Sequence, residues 1–242
     1  MAKAASNLTD ALGRLIKIAV VVALLPLAVS LVIGMLRAME AEQVLGVTAR
    51  EWVIRGFLTY VAVHVALYRP VALFQFNHRL FSTLAVWLFG GQVASTEDAP
   101  SGKVKVKKGA KAETSRASAG GSTLVAFSPY VIPLYTIIVC LVGGVLRSRW
   151  DRPVVGGVAA FLIGLTMAFH WLMTADDLQS QRSRWHLETY LLAIGLVFIL
   201  TLLIADVFLP WAMPAFSPSQ ALAEAMAHAR AVYATLIQRL FL

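Results

Sequence analysis

The sequence has little charge and only one cysteine. Of its 242 residues 14% are charged and 59% are hydrophobic, and the mean hydropathy is +0.73. This balance excludes an ordinary soluble domain, because long apolar stretches alternate with short charged segments, as in helical proteins that cross a membrane several times. The single cysteine, Cys140, excludes a disulfide framework and a thiolate metal cluster.

The charge that is present has mainly one sign. Lysine and arginine number 21 against 13 acidic residues, which gives a net charge of +8. The basic residues stand at the ends of apolar segments and in one loop, which favours anionic lipid headgroups over nucleic acid. The lysines of that loop are Lys103, Lys105, Lys107, Lys108 and Lys111. We therefore expect membrane lipids, and not nucleic acid, as partners.

Six apolar stretches, which average about 20 residues, predict six transmembrane helices, because that length crosses a hydrocarbon core of ~30 Å. The predicted spans are 15–36, 52–67, 71–89, 124–146, 154–173 and 187–209. Asn7 and Asp10 are plausible caps of the first helix. Pro26 lies inside it and requires a neighbouring helix to satisfy the backbone. The expected fold class is an all-α integral membrane protein.

One long polar stretch interrupts the apolar spans at residues 92–123. Lysine and valine alternate over residues 102–108, a pattern typical of a short strand or hairpin. The sequence therefore predicts a small β-rich loop between the third and fourth spans.

The tail, residues 210–242, contains a helix-start signal. Ser217, Pro218 and Gln220 match a capping box with proline in the first turn. Apolar residues then follow one face of the predicted helix: Leu222, Met226, Ala229, Tyr233, Leu236, Ile237 and Leu240. This pattern predicts an amphipathic helix, which lies on the membrane, against a partner or on the protein's own surface.

Residues 78–82 read His-Arg-Leu-Phe-Ser and resemble a zinc-binding helix with altered chemistry. In the intact motif His-Glu-x-x-His, two histidines one turn apart hold zinc and the glutamate acts as general base. Here His78 is kept, Arg79 replaces the glutamate and Ser82 replaces the second histidine. Arg79 cannot serve as a base because its guanidinium stays protonated, and Ser82 is a poor zinc ligand.

The order of the segments that follow resembles the site-2 protease family of intramembrane metalloproteases. After the zinc helix, family members have an apolar stretch with a Gly-Gly turn, and residues 85–93 are similar to it. Residues 128–136, Ser-Pro-Tyr-Val-Ile-Pro-Leu-Tyr-Thr, resemble the family's Ala-Pro-Tyr-Phe-Phe-Pro-Leu-Tyr-Thr. By this resemblance, His170 and Asp177 stand where a later helix supplies a histidine and a metal-binding aspartate.

We expect the chain to have three parts, of which the middle one is the part that resembles the protease family. Residues 1–67 are N-terminal transmembrane helices, and residues 68–209 are a site-2 protease-like core that includes the polar loop 90–123. Residues 210–242 are the amphipathic tail. The first span and the tail have no counterpart in the resemblance.

A charge within a span is costly and usually paired. The family's geometry implies that the Asp177 region lies beside the His78 helix, so we expect an ion pair between Arg79 and Asp177 in place of the metal. Alternatively, the Arg79 side chain reaches the membrane interface, and Asp176 and Asp177 are solvated.

The altered motif predicts a catalytically inactive pseudo-metalloprotease without a cofactor, which serves as a scaffold or accessory subunit for a membrane-protein partner. The expected location is the bacterial inner membrane. Two alternatives stay open. One is a divergent zinc intramembrane metalloprotease that uses His78, His170 and Asp177. The other is a pigment- or quinone-associated subunit of an energy-transducing complex, since His64 and His170 lie in apolar runs and such histidines can ligate haem.

Overall fold

The computed structural model describes residues 2–66, 76, 80, 83, 130–150, 153–180 and 186–241. Most of these residues are helical. The helices are α1 (Ala2–Ala38), α2 (Ala49–Ala66), α3 (Leu134–Arg149), α4 (Pro153–Ser180), α5 (Leu187–Ala212) and α6 (Pro218–Phe241). The chain forms two compact units, Met1–Phe74 with Val131–Leu242, and Gln75–Tyr130. All six helices belong to the first unit; in the second, the described residues 76, 80, 83 and 130 are helical.

Three of the described helices are long and apolar enough to cross a membrane. The spans are Leu12–Ala41, Pro153–Gln179 and Leu187–Ala212, and they coincide with the first, fifth and sixth predicted spans. This finding fits an integral membrane protein. Helices α2 and α3 occupy the second and fourth predicted positions and have 18 and 16 residues in the described part of the chain; neither is among the three helices found able to cross a membrane. Most of the predicted third span, 71–89, lies outside the described residues, so six spans are not confirmed.

The first helix begins earlier than the sequence predicted. Asn7 and Asp10 lie inside α1, so their prediction as caps was wrong. Alanine and leucine, both strong helix formers, flank them and extend the helix. Pro26 also lies inside α1. The Tyr233 hydroxyl of α6 donates a hydrogen bond to the Ala23 carbonyl, which is next to the Val22 carbonyl that Pro26 leaves without its helical donor.

A small β-hairpin lies in the first connector and not where the sequence predicted one. Strands β1 (Gln43–Val44) and β2 (Val47–Thr48) are antiparallel and follow a 3₁₀ turn at Met39–Ala41. Leu45 and Gly46 both have positive φ angles, 55° and 75°. A two-residue hairpin turn of type I′ requires positive φ at both of these positions. The predicted strand at 102–108 lies outside the described residues.

Successive helices of the bundle run in opposite directions. α1, α3 and α5 run towards the end of the bundle that holds the hairpin, and α2, α4 and α6 start there. α2 and α4 touch through their backbones: a Cβ added to Gly56 would lie 1.9 Å from the Phe161 carbonyl oxygen, and one added to Gly164 would lie 1.9 Å from the Val53 oxygen. Close approach of this kind is characteristic of small residues between membrane helices.

The tail helix α6 packs antiparallel on α1. A Cβ on Gly34 would lie 2.8 Å from the Ala225 Cβ, and the Ser30 Oγ lies 2.9 Å from the His228 Nδ1. The Ser217 Oγ accepts a hydrogen bond from the Gln220 N–H at 3.3 Å, which confirms the predicted helix start.

The packed face of α6 overlaps the predicted apolar stripe only at Ala229 and Tyr233. Its buried residues are small: Ala221, Ala225 and Ala229. The larger members of the stripe are exposed, namely Leu222, Met226, Leu236 and Ile237. Alanines pack here because they let the two helix backbones approach closely. The tail therefore packs on the protein's own surface and still presents apolar side chains outward.

Candidate functional site

A polar pair joins α2 to α4 near the end opposite the hairpin. The His64 Nε2 lies 3.6 Å from the Asp176 Oδ2, and both side chains are mostly buried. The Tyr60 ring lies one helical turn before His64, with the ring centroids 5.8 Å apart. Among the described residues, the Tyr60 hydroxyl and the His64 Nδ1 have no hydrogen-bond partner.

Aromatic contacts join α4 to α2, α3 and α5 in the segment of α4 that precedes Asp176. Phe169 contacts Tyr60 and Tyr135 edge to face, at centroid distances of 5.6 and 5.4 Å. Trp171 lies 4.4 Å from Phe198 of α5. Rings in such arrangements stabilise one another beyond their burial alone.

His170 lies on α4 and connects this region to α5. It is buried, 3% exposed, and its Nε2 lies 3.5 Å from the Thr201 Oγ1. The Thr201 hydroxyl in turn donates a hydrogen bond to the Val131 carbonyl at 3.0 Å. A histidine in a membrane helix usually bonds to a neighbouring helix in this way.

The remaining predicted site residues divide into two groups. Asp177 lies on α4, seven residues and about 10 Å along the axis from His170, and its neighbour Asp176 contacts His64. His78, Arg79, Ser82 and the loop lysines Lys103, Lys105, Lys107, Lys108 and Lys111 lie outside the described residues. The Arg79–Asp177 pair therefore stays a prediction.

Within the described part of the chain, no group of three or more His, Cys, Asp or Glu side chains is arranged to hold a metal ion. His170 and Asp177 are two full turns apart on one helix, whereas the intact zinc motif places its histidines one turn apart. A zinc site completed by His78 stays a prediction.

Sequence reasoning missed a buried carboxylate at the hairpin end. Glu42 is 4% exposed and accepts hydrogen bonds from the Arg147 Nη1 at 2.7 Å and the Ala215 N–H at 2.9 Å. Its backbone carbonyl accepts from the Ala49 N–H at the start of α2. Arg147 also reaches the Ala212 carbonyl at 3.4 Å. One side chain thus joins the first connector, the end of α3 and the turn between α5 and α6.

Asp206 was also missed, although it lies inside the sixth predicted span. Its side chain is 7% exposed, and its Oδ1 has no hydrogen-bond partner among the described residues. An acidic residue within a membrane span is rare and costly, and this rule alone would have marked it.

These features describe a helical bundle in which interior polar groups connect the helices and three of the described helices are able to cross a membrane. No protein-family model, curated protein or solved structure matches the chain.

Proposed function

We propose that this protein is a catalytically inactive, site-2 protease-like membrane protein of the bacterial inner membrane, and that it serves as a scaffold or accessory subunit of a membrane complex. The observation that carries the proposal is the pairing of α1 with α6. These helices are the parts without a counterpart in the resemblance, and together they form an added outer layer.

The outer layer presents apolar surface that the rest of the chain does not cover. Only 22% of the most apolar window of α1 is buried, against 56% for α4. The exposed apolar residues of α1 include Ile18 and Val22, and those of α6 include Leu222 and Met226. In a membrane, such a surface meets lipid or the helix of another protein.

The interior polar groups support a structural role. Glu42 with Arg147 connects the first connector to α3, and His170 with Thr201 connects α4 to α5. Thr136 and Thr166 do the same between α3 and α4, at 3.1 Å. A bundle held in this way is a rigid platform, and Arg79 at the position of the catalytic base favours binding over cleavage.

The occupant we propose for the outer layer is a transmembrane helix of a partner protein. Association of membrane helices depends on close packing, so a bulky side chain in the contact face prevents it. Val22 of α1 and Val145 of α3 provide a matched pair, since they are 62% and 60% exposed. Val22→Trp changes the proposed face and Val145→Trp changes a different one.

The test is purification of both variants and the wild type in a gentle detergent, with quantification of co-purifying membrane proteins by mass spectrometry. A partner retained by wild type and Val145→Trp but reduced about tenfold by Val22→Trp is the expected result. Equal retention by all three proteins would contradict docking on α1. A proteolytic activity of the purified chain would favour the zinc metalloprotease instead.

A further inference from the structure

An apolar groove runs between α1 and α5. Its volume is about 480 Å³. On α1 its lining extends from Val21 to Ile33, and on α5 it extends from Leu191 to Phe198. Gly195 lies in its floor, where an added Cβ would meet no atom within 4 Å. The groove is therefore open to a long, narrow apolar ligand.

Polar and charged side chains lie at one end of this groove. The Lys17 Nζ donates a hydrogen bond to the Thr189 hydroxyl at 2.9 Å, and the Arg14 Nε lies 3.7 Å from the Glu188 Oε1. The lysine keeps two further N–H donors and the arginine keeps its two terminal nitrogens. Lys17 and Arg14 outnumber the single carboxylate of Glu188, so this end of the groove, its mouth, has a net positive charge.

The spacing of polar residues places the mouth at a membrane interface. Lys17 and Arg37 are twenty residues apart on α1, about 30 Å along a helix. On α5, Thr189 and the interfacial residue Trp211 are about 33 Å apart along the helix. Both lengths are close to the ~30 Å hydrocarbon core of a bilayer. The exposed Trp211 stands at the hairpin end, and tryptophan is enriched at membrane interfaces; the groove mouth is at the other interface.

The length of the groove fits one acyl chain. From Val21 to Ile33 it is about 18 Å long, close to one leaflet, which is about half of the ~30 Å core. A lipid also brings an anionic headgroup to the basic side chains at the end of the groove, which an apolar transmembrane helix does not.

We propose that this groove binds an anionic phospholipid, with one acyl chain between α1 and α5 and the headgroup phosphate on Lys17 and Arg14. The apolar lining selects a hydrocarbon chain, and the charged mouth selects the headgroup. This site does not depend on the protease-like ancestry of the chain or on the proposed partner helix.

The test uses native mass spectrometry of the full-length protein in mild detergent, titrated with phosphatidylglycerol or with phosphatidylcholine of the same acyl chains. We expect one phosphatidylglycerol per chain, bound more tightly than phosphatidylcholine. Gly195→Trp fills the groove and should lower the affinity about tenfold or more. Leu196→Trp, on the exposed side of the same helix, is the matched control and should bind as the wild type does.

The headgroup contact is tested separately. Lys17→Gln should weaken phosphatidylglycerol binding about fivefold, the contribution expected of one basic residue near a membrane surface, and leave phosphatidylcholine unchanged. Arg230→Gln, which removes an exposed charge on α6, should have no effect. Inorganic phosphate should not displace the lipid, because it lacks the acyl chain.

Three results would overturn the proposal. These are equal affinity for the two lipids, equal affinity of Gly195→Trp and Leu196→Trp, and displacement of the lipid by inorganic phosphate. A polypeptide retained in the groove in place of lipid would overturn it too. If Gly195→Trp does not fold, Val29→Trp replaces it: Val29 lines the groove and is half exposed, so it tolerates a larger side chain.

Discussion

Glu42 shows how one side chain in a connector stabilises several parts of a membrane protein. It is buried, and each of its oxygens accepts a hydrogen bond, one from a charged guanidinium and one from a backbone N–H. Hydrogen bonds that involve an ionised group are about twice as strong as neutral ones. The sequence shows only a short acidic connector, and its partners lie more than a hundred residues away.

Replacement of Glu42 should therefore destabilise the fold. Glu42→Ala leaves the Arg147 guanidinium and the Ala215 N–H without their acceptor. Breaking a buried pair costs ~3–5 kcal/mol; because Arg147 is one-third exposed, we expect about 2–3 kcal/mol. Reversible unfolding in detergent micelles measures this difference.

The exposed pair of Glu40 and Arg50 provides the control. Both side chains are nearly half exposed, so Glu40→Ala should cost less than ~1 kcal/mol. In the double variant Glu42→Ala/Arg147→Met the further loss should be small. Losses that simply add would show that the two residues act independently.

The Arg79–Asp177 pair is a residue-scale prediction from the family resemblance. Arg79→Ala and Asp177→Ala should destabilise the protein to a similar degree, with little further loss in the double variant, because either change removes the same interaction. Asp176→Ala is the control for Asp177, since the Asp176 carboxylate contacts His64. If Arg79 couples to Asp176 and not to Asp177, the predicted Arg79–Asp177 pair is wrong and Asp176 is the partner of Arg79.

Helices α2 and α4 are held in contact by two glycines. A Cβ on Gly164 would lie 1.9 Å from the Val53 carbonyl oxygen, which is backbone and cannot rotate away. Gly164→Ala should therefore force the helices apart and cost about 3 kcal/mol or more. The midpoint of thermal unfolding measures the change.

Gly195→Ala is the matched control, because the same substitution on α5 meets no atom within 4 Å. Alanine is the better helix former by up to ~1 kcal/mol, so this variant should be as stable as the wild type or more so. Equal destabilisation by both alanines would mean that propensity, and not helix contact, determines the effect.

The sequence predicts the helices better than their contacts. Apolar length alone places α1, α4 and α5, because membrane burial requires about 20 apolar residues whatever the neighbours are. The start of α1 and the hairpin at 43–48 depend on local packing and turn geometry that the apolar pattern does not contain.

The candidate site shows the same limit. The sequence singled out His170 and Asp177 by resemblance, whereas the pair that the structure describes is His64 with Asp176. Neighbouring residues on a helix point about 100° apart, so a shift of one position changes the partner. Pairing across helices α2 and α4 follows from the contact at Gly56 and Gly164, which no local pattern indicates.

At the scale of the whole molecule, α1 and α6 cover one side of the helical bundle. Inside the bundle, side-chain hydrogen bonds and an ion pair connect the other elements. Arg37 of α1 pairs with Glu224 of α6 at 3.2 Å near the hairpin end, and Tyr233 contacts the backbone of α1 further along. The tail is thus part of the bundle from Ala221 to Tyr233. An outer layer joined in this way adds apolar surface to the bundle, which is the basis for the proposed role in binding.

The central claim is that this bundle binds and does not cut. Its most direct test is the zinc content of the purified protein, determined by elemental analysis together with cleavage of a transmembrane peptide substrate, for the wild type and His78→Ala. We predict no cleavage and the same low zinc content in both proteins. One zinc per chain with cleavage, both lost in His78→Ala, would contradict the claim and identify a working metalloprotease.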